Sequence, residues 1–171
     1  MIRPNQSKNK LNPHSFGFTL LEILIGAGII TASFLGVLTV FDRLTKTSRQ
    51  LTELTQANFL LAEGLEAARL WRDDGWVNFS NWPASTEYYL TWTGSRWATS
   101  TVNIFLDGKF DRHLAVASVA RVDGTKDIIP PGGGGGTTDP DTKLVTVTVA
   151  WPTTSATTTK TLSAYFTNLF D

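Results

Sequence analysis

The chain of 171 residues has no cysteine and only two histidines, His14 and His113. Without cysteine there can be no disulfide and no thiolate metal site, so any part outside a membrane must hold by core packing. One histidine sits near the N-terminus and the other stands alone in a strand-like stretch. No set of nucleophile, base and orienting group can be assembled from them, so neither an enzyme nor a cofactor is expected. His113 reads as a surface or sheet residue. A surplus of charge is also missing: 15 basic residues meet 15 acids, which leaves no basic footprint for nucleic acid. Proline is absent between Pro13 and Pro83, so nothing forces a helix break over residues 18–71.

What is there begins with an apolar run from Phe18 to Phe41 whose single charge is Glu22. A run of this length can span a bilayer core about 30 Å thick. A carboxylate at the centre of such a helix costs about 2.5–3.5 kcal/mol on insertion scales, and less near an end. Glu22 lies near the N-terminal end and calls for a partner. Gly26, Gly28 and Gly36 would each weaken a soluble helix by up to about 1 kcal/mol, whereas in a membrane they permit close helix contact. Beyond Phe41 the pattern becomes amphipathic. Leu44, Leu51, Leu54, Leu61, Leu65 and Ala68 form one helical stripe. Asp73-Asp74-Gly75 ends it, with Gly75 expected as a left-handed cap. The reading is one helix of roughly 55 residues. Arg3, Lys8 and Lys10 precede the apolar run without an acid, while the flank after Phe41 is nearly balanced, which places the N-terminus inside.

From Trp76 onward the patterns are those of strands. Candidates are Glu87–Thr93, Thr101–Leu106, Leu114–Val122, Lys143–Trp151 and Thr161–Thr167, with turns at Asp107-Gly108 and across Pro152–Thr159. The expected fold class is therefore α+β, a long N-terminal helix on a small antiparallel sheet. Residues 130–142, with five consecutive glycines, read as a flexible surface loop. Asp139 and Asp141 are weak calcium candidates, because they lack a ladder of alternating oxygens. Asp123 and Asp127 are no better. The six tryptophans are expected mostly in the core, with Trp71 and Trp76 marking the end of the helix against the sheet.

The segment Gly17-Phe18-Thr19-Leu20-Leu21-Glu22, behind a basic leader and ahead of the apolar helix, resembles the cleavage and methylation signal of type IV prepilins and type II secretion pseudopilins. The resemblance implies that a prepilin peptidase/methyltransferase cuts after Gly17 and methylates the new N-terminus at Phe18. It also implies that Glu22, together with the Phe18 amine, serves subunit assembly. Residues 1–17 would then be a cleaved leader, 18–41 the transmembrane and filament-core half of a spine helix, and 42–171 an extracytoplasmic pilin-like head. Further partners implied are sibling pilins or pseudopilins, membrane lipid and an inner-membrane assembly platform driven by a separate ATPase. Leu61-Ala62-Glu63-Gly64-Leu65-Glu66-Ala67-Ala68-Arg69 and the ending Tyr165-Phe166-Thr167-Asn168 are similar to minor pilins or pseudopilins more than to a major subunit. Two features depart from many major pilins: the lack of a cysteine-bridged C-terminal loop, and Thr39 where those carry a proline. The alternative reading is a membrane-tethered extracellular binding module that does not polymerise.

Overall fold

The computed structural model describes residues 19–169 except 85, 154 and 155. Helix α1 runs unbroken over Leu20–Asp74, as the absence of proline and the apolar periodicity require. Gly75 does not adopt the expected left-handed conformation. Its φ of 165° is extended, its N–H still reaches the Trp71 carbonyl at 3.3 Å, and it opens a short helix, α2 (Trp76–Ser80). A sharp redirection was needed there, because α2 swings Phe79 into the core, where it is 1 % exposed.

The chain divides into two compact units, Met1–Arg49 and Gln50–Asp171. In the first, the described residues from Leu20 onward are helical. In the second, the rest of α1 and α2 accompany an antiparallel seven-stranded sheet. Its strands are β1 (Tyr88–Trp92), β2 (Trp97–Ser100), β3 (Phe105–Leu106), β4 (Phe110–Arg121), β5 (Ile128–Ile129), β6 (Thr137–Pro152) and β7 (Thr157–Thr167). The order along the sheet is β2-β1-β4-β6-β7, and β3 and β5 also pair with β4. Asp107 and Gly108 both take positive φ, 51° and 64°, and close the β3–β4 hairpin. The architecture is thus α+β, with a long N-terminal apolar helix whose later part packs on a small antiparallel sheet.

Four strand boundaries differ from the sequence reading. Strand β7 starts at Thr157, four residues sooner than expected, because Pro152 and Thr157 already pair, so the expected connection across Pro152–Thr159 is shorter than read. Thr101 and Val102 are not strand; the pairing partner of β1 is instead Trp97–Ser100. Strand β4 starts at Phe110, four residues sooner than expected, because Phe110, Arg112, Leu114 and Val116 all turn inward. Strand β6 starts at Thr137, so the span read as a loop over 130–142 is loop only to Gly136. Pro140 concealed this, since a proline cannot serve a regular ladder. The register passes from Ser118↔Lys143 directly to Val119↔Asp139. The residues between fall in an irregularity where the missing N–H is not needed. Gly136 sits where an added Cβ would lie 2.3 Å from the Arg121 carbonyl oxygen, at φ +80°.

The core is formed by Ala57, Leu61, Leu65, Ala67 and Ala68 of α1, Phe79, and inward residues of the sheet, chiefly Leu90, Phe110, Leu114, Val116, Val145, Val147, Val149, Trp151 and Phe166. The predicted stripe is therefore covered only in its later part. Leu54 is partly buried, whereas Leu44 and Leu51 are exposed. Gly64 is buried against β6, and a Cβ there would lie 2.6 Å from Val147 Cγ1. Among the described residues, ion pairs tie α1 to the sheet side: Glu53 with Lys109 of the β3–β4 turn at 2.5 Å, and Glu63 with the buried Arg112 of β4. Burial pulls the Arg112 pKa below its ordinary value, and Glu63 opposes that pull. Trp71 and Trp82 stand 5.2 Å apart, Phe79 lies 5.9 Å from Trp76 and 6.0 Å from Phe166, and Trp82 meets Tyr88 at 4.5 Å. These rings seal the end of α1 against the sheet, as expected of Trp71 and Trp76.

Candidate functional site

Of the residues that the sequence singles out for cleavage and assembly, the structure describes Glu22, in the first turn of α1. Gly17 and Phe18 lie outside the described residues. Thr19 caps the helix: its Oγ1 accepts a hydrogen bond from the Glu22 N–H at 3.3 Å, and its carbonyl accepts from the Glu22 and Ile23 N–H groups at 3.0 and 3.2 Å. A threonine at the N-cap with a glutamate three residues on follows the capping-box pattern. Thr19 is a site residue that the sequence reading passed over, although Thr-x-x-Glu was visible in it. Glu22 is exposed in the first helical turn. A negative charge in the first turn of a helix is favoured by the helix dipole, typically by about 0.3–1 kcal/mol.

Beyond Glu22 the helix presents apolar side chains in every direction up to Phe41. Leu24, Ile25, Ile30, Phe34, Val37 and Phe41 are among the exposed ones. The hydroxyls within this stretch are consumed by the helix itself. Thr31, Ser33 and Thr39 donate to the carbonyls of Ala27, Ile29 and Leu35 at 2.8, 2.8 and 2.9 Å. Their hydrogens therefore need no water, which suits a helix surrounded by lipid or by other helices. Gly28, Ala32 and Gly36 recur every four residues on one face, and a Cβ added at either glycine would touch nothing within the chain. Such a strip allows another helix to approach closely. The polar boundary follows at once, with Asp42 and Lys46 paired at 2.7 Å. This is one helix, near the N-terminus, long and apolar enough to cross a membrane.

The remaining candidates are engaged elsewhere. Asp139 Oδ2 accepts from Arg121 Nε at 2.5 Å, and its Oδ1 accepts from the Asp141 N–H at 2.9 Å. The Asp139 carboxylate is thus engaged by a guanidinium. Burial alone would push the Asp139 carboxyl up, but the hydrogen bonds from Arg121, Thr142 and Asp141 outweigh it and hold it below the usual carboxylate range. Among the described residues no cluster of three metal-ligating side chains occurs. Asp123 accepts from Thr137 Oγ1 at 2.6 Å. His113 lies in β4, as expected of a sheet residue, with Nδ1 3.0 Å from Asp111 Oδ1 and its ring edge-on to Tyr89. Among the described residues, the site is therefore a capped helix start that carries Glu22 in its first turn and opens an apolar helix. No family model, no curated protein and no solved structure matches this chain.

Proposed function

We propose that this protein is a structural subunit, a minor pilin or pseudopilin, of a type IV pilus or type II secretion-like filament, and that its role is assembly rather than catalysis. The observation that carries the reading is the position of Glu22. It is the one charge of an otherwise apolar exposed stretch, and it stands in the first turn of a helix that continues without interruption into a folded head. A prepilin peptidase/methyltransferase cuts after Gly17 and methylates Phe18. The chain spans the inner membrane once, its N-terminus cytoplasmic and its head outside. Sibling pilins and an assembly platform with a separate ATPase then draw it into a filament.

In that filament Glu22 neutralises the protonated amine on Phe18 of a neighbouring subunit. Two charges that are each costly in an apolar medium become tolerable together, and only one axial stagger brings them together. Glu22 also fits the cap of its own helix, so the test must separate charge from capping. Glu22→Gln keeps the capping pattern and removes the charge. Crosslinking to sibling pilins and filament counts should show Glu22→Gln as poorly incorporated as Glu22→Ala, with both proteins still processed and membrane-inserted. Normal incorporation of Glu22→Gln would reduce Glu22 to a helix cap and remove the pairing mechanism.

A further inference from the structure

A cleft of about 590 Å³ lies between the end of α1 and the β1–β2 hairpin, wholly within the second unit. Its walls carry three indole rings, from Trp71, Trp92 and Trp97. Two are fixed from behind. Trp71 is held by Trp82 at 5.2 Å, and Trp97 lies under the buried Arg112 guanidinium at 5.3 Å. Trp92 is 54 % exposed, pairs with Trp97 across the hairpin, and meets its ring edge-on at 5.4 Å. An indole left half in water on a short strand contributes little to folding, while its fixed neighbours make a rigid aromatic wall.

The polar groups of the cleft define what the wall can take. Asp74 from the last turn of α1, Arg96 from the hairpin turn and Thr99 from β2 line the same space. Neither the Asp74 nor the Arg96 side chain has a partner among the described residues. One carboxylate and one guanidinium give a cleft of balanced charge. An anion would gain from Arg96 and be repelled by Asp74, and a cation would meet the reverse. A purely apolar ligand would desolvate both charges without replacing their hydrogen bonds. A pyranose ring satisfies the whole set. It is neutral, it offers an apolar C–H face to an indole, and its hydroxyls donate to a carboxylate while accepting from a guanidinium. The size of the cleft falls in the range of small-ligand sites, which are typically about 300–1,000 Å³.

We infer that the Trp71–Trp92–Trp97 cleft binds a neutral saccharide, stacked on the indoles and hydrogen-bonded by Asp74 and Arg96. This inference does not depend on the filament reading, since every residue involved belongs to the head. The test uses the full chain in lipid nanodiscs, free of glycoside detergents that would compete. Cellotetraose, chitotetraose and maltotetraose are titrated at millimolar concentrations while tryptophan fluorescence is followed, with a proline-rich peptide as the competing class. At least one oligosaccharide should bind saturably. Trp92→Ala and Asp74→Ala should each weaken it tenfold or more while the head stays folded: Asp74→Ala should leave the thermal unfolding midpoint in place, because Asp74 ends its helix at the surface, and Trp92→Ala should lower it by only a few degrees, the loss of its edge-on contact with Trp97. Absence of saturable binding by all three sugars overturns the inference, as does unchanged affinity in both variants. Saturable binding of the peptide alone also overturns it and makes the cleft a peptide groove.

Discussion

Replacing Gly64 by alanine tests how α1 meets the sheet, because two physical effects oppose each other there. In a free helix the substitution gains about 1 kcal/mol, since glycine loses more backbone freedom on folding and is a poorer helix former than alanine. In this structure the new Cβ would lie 2.6 Å from Val147 Cγ1 and 3.2 Å from Cγ2. Real Cβ atoms do not come that close, so something must move. Val147 is fully buried and is stiff at χ1, so its methyls have no rotamer to escape into. Overpacking of this kind typically costs about 1–3 kcal/mol, and more where helix and strand must separate. The net expectation is a loss of up to about 2 kcal/mol and a fall in melting temperature of up to roughly 10 °C for a unit of this size. The assay is thermal unfolding of the full chain, followed by near-UV circular dichroism of the tryptophans around the core. The double variant Gly64→Ala/Val147→Ala should recover part of the loss relative to Val147→Ala alone, because the clash is removed. Gly28→Ala, where nothing lies within 4 Å, should leave the head unchanged. If Gly64→Ala raises the melting temperature, the close approach of α1 to β6 is wrong.

Other outcomes follow from the same structure. Leu61→Asp or Leu65→Asp should unfold or aggregate the head, at a cost above about 3 kcal/mol. Leu51→Asp, on an exposed position of the same stripe, should be tolerated within about 0.5 kcal/mol, and thermal melts of the three variants decide the matter. Gly136→Ala should destabilise the β5–β6 connection, because its Cβ would strike the Arg121 carbonyl, whereas Gly134→Ala should not; hydrogen exchange of the Arg121 region reports the difference. The folded Asp139 carboxyl titrates below its unfolded value. Its contribution to stability is therefore complete above about pH 4 and fades as pH falls through the folded value. Asp139→Asn should flatten that acid limb in urea titrations, and an unchanged limb would count against the Arg121 pair.

The long helix was legible because its cues are local: no proline, an apolar run, then a stripe at helical spacing. The stripe's working length was not legible. Leu44 and Leu51 have the same spacing as Leu61 and Leu65, and periodicity cannot say where a sheet begins to cover a helix. The cause lies in distant residues, since coverage starts where Lys109 reaches Glu53 at 2.5 Å. The central strands alternated cleanly and were found. The start of β6 was hidden by Pro140, Asp139 and Asp141, which read as loop residues until the register shift opposite Ser118 and Val119 is known. Strand β2 was missed because Trp97–Ser100 is short and follows a Gly94-Ser95-Arg96 turn, while Thr101-Val102 had the better strand composition. Glu22 was legible as the one acid in the run, and Thr19 was visible beside it. The aromatic cleft was not, because Trp71 and Trp97 are 26 positions apart and meet only through folding.

The central claim, that α1 becomes the mature N-terminal spine of an assembled subunit, is tested most directly by mass spectrometry of the protein's N-terminus from native membranes. The account predicts a chain that begins at Phe18 with a methylated amine in the wild type, and an uncut precursor when Gly17→Leu denies the peptidase a bare backbone to approach. A wild-type chain that retains the residues before Phe18, or normal processing of Gly17→Leu, would contradict it.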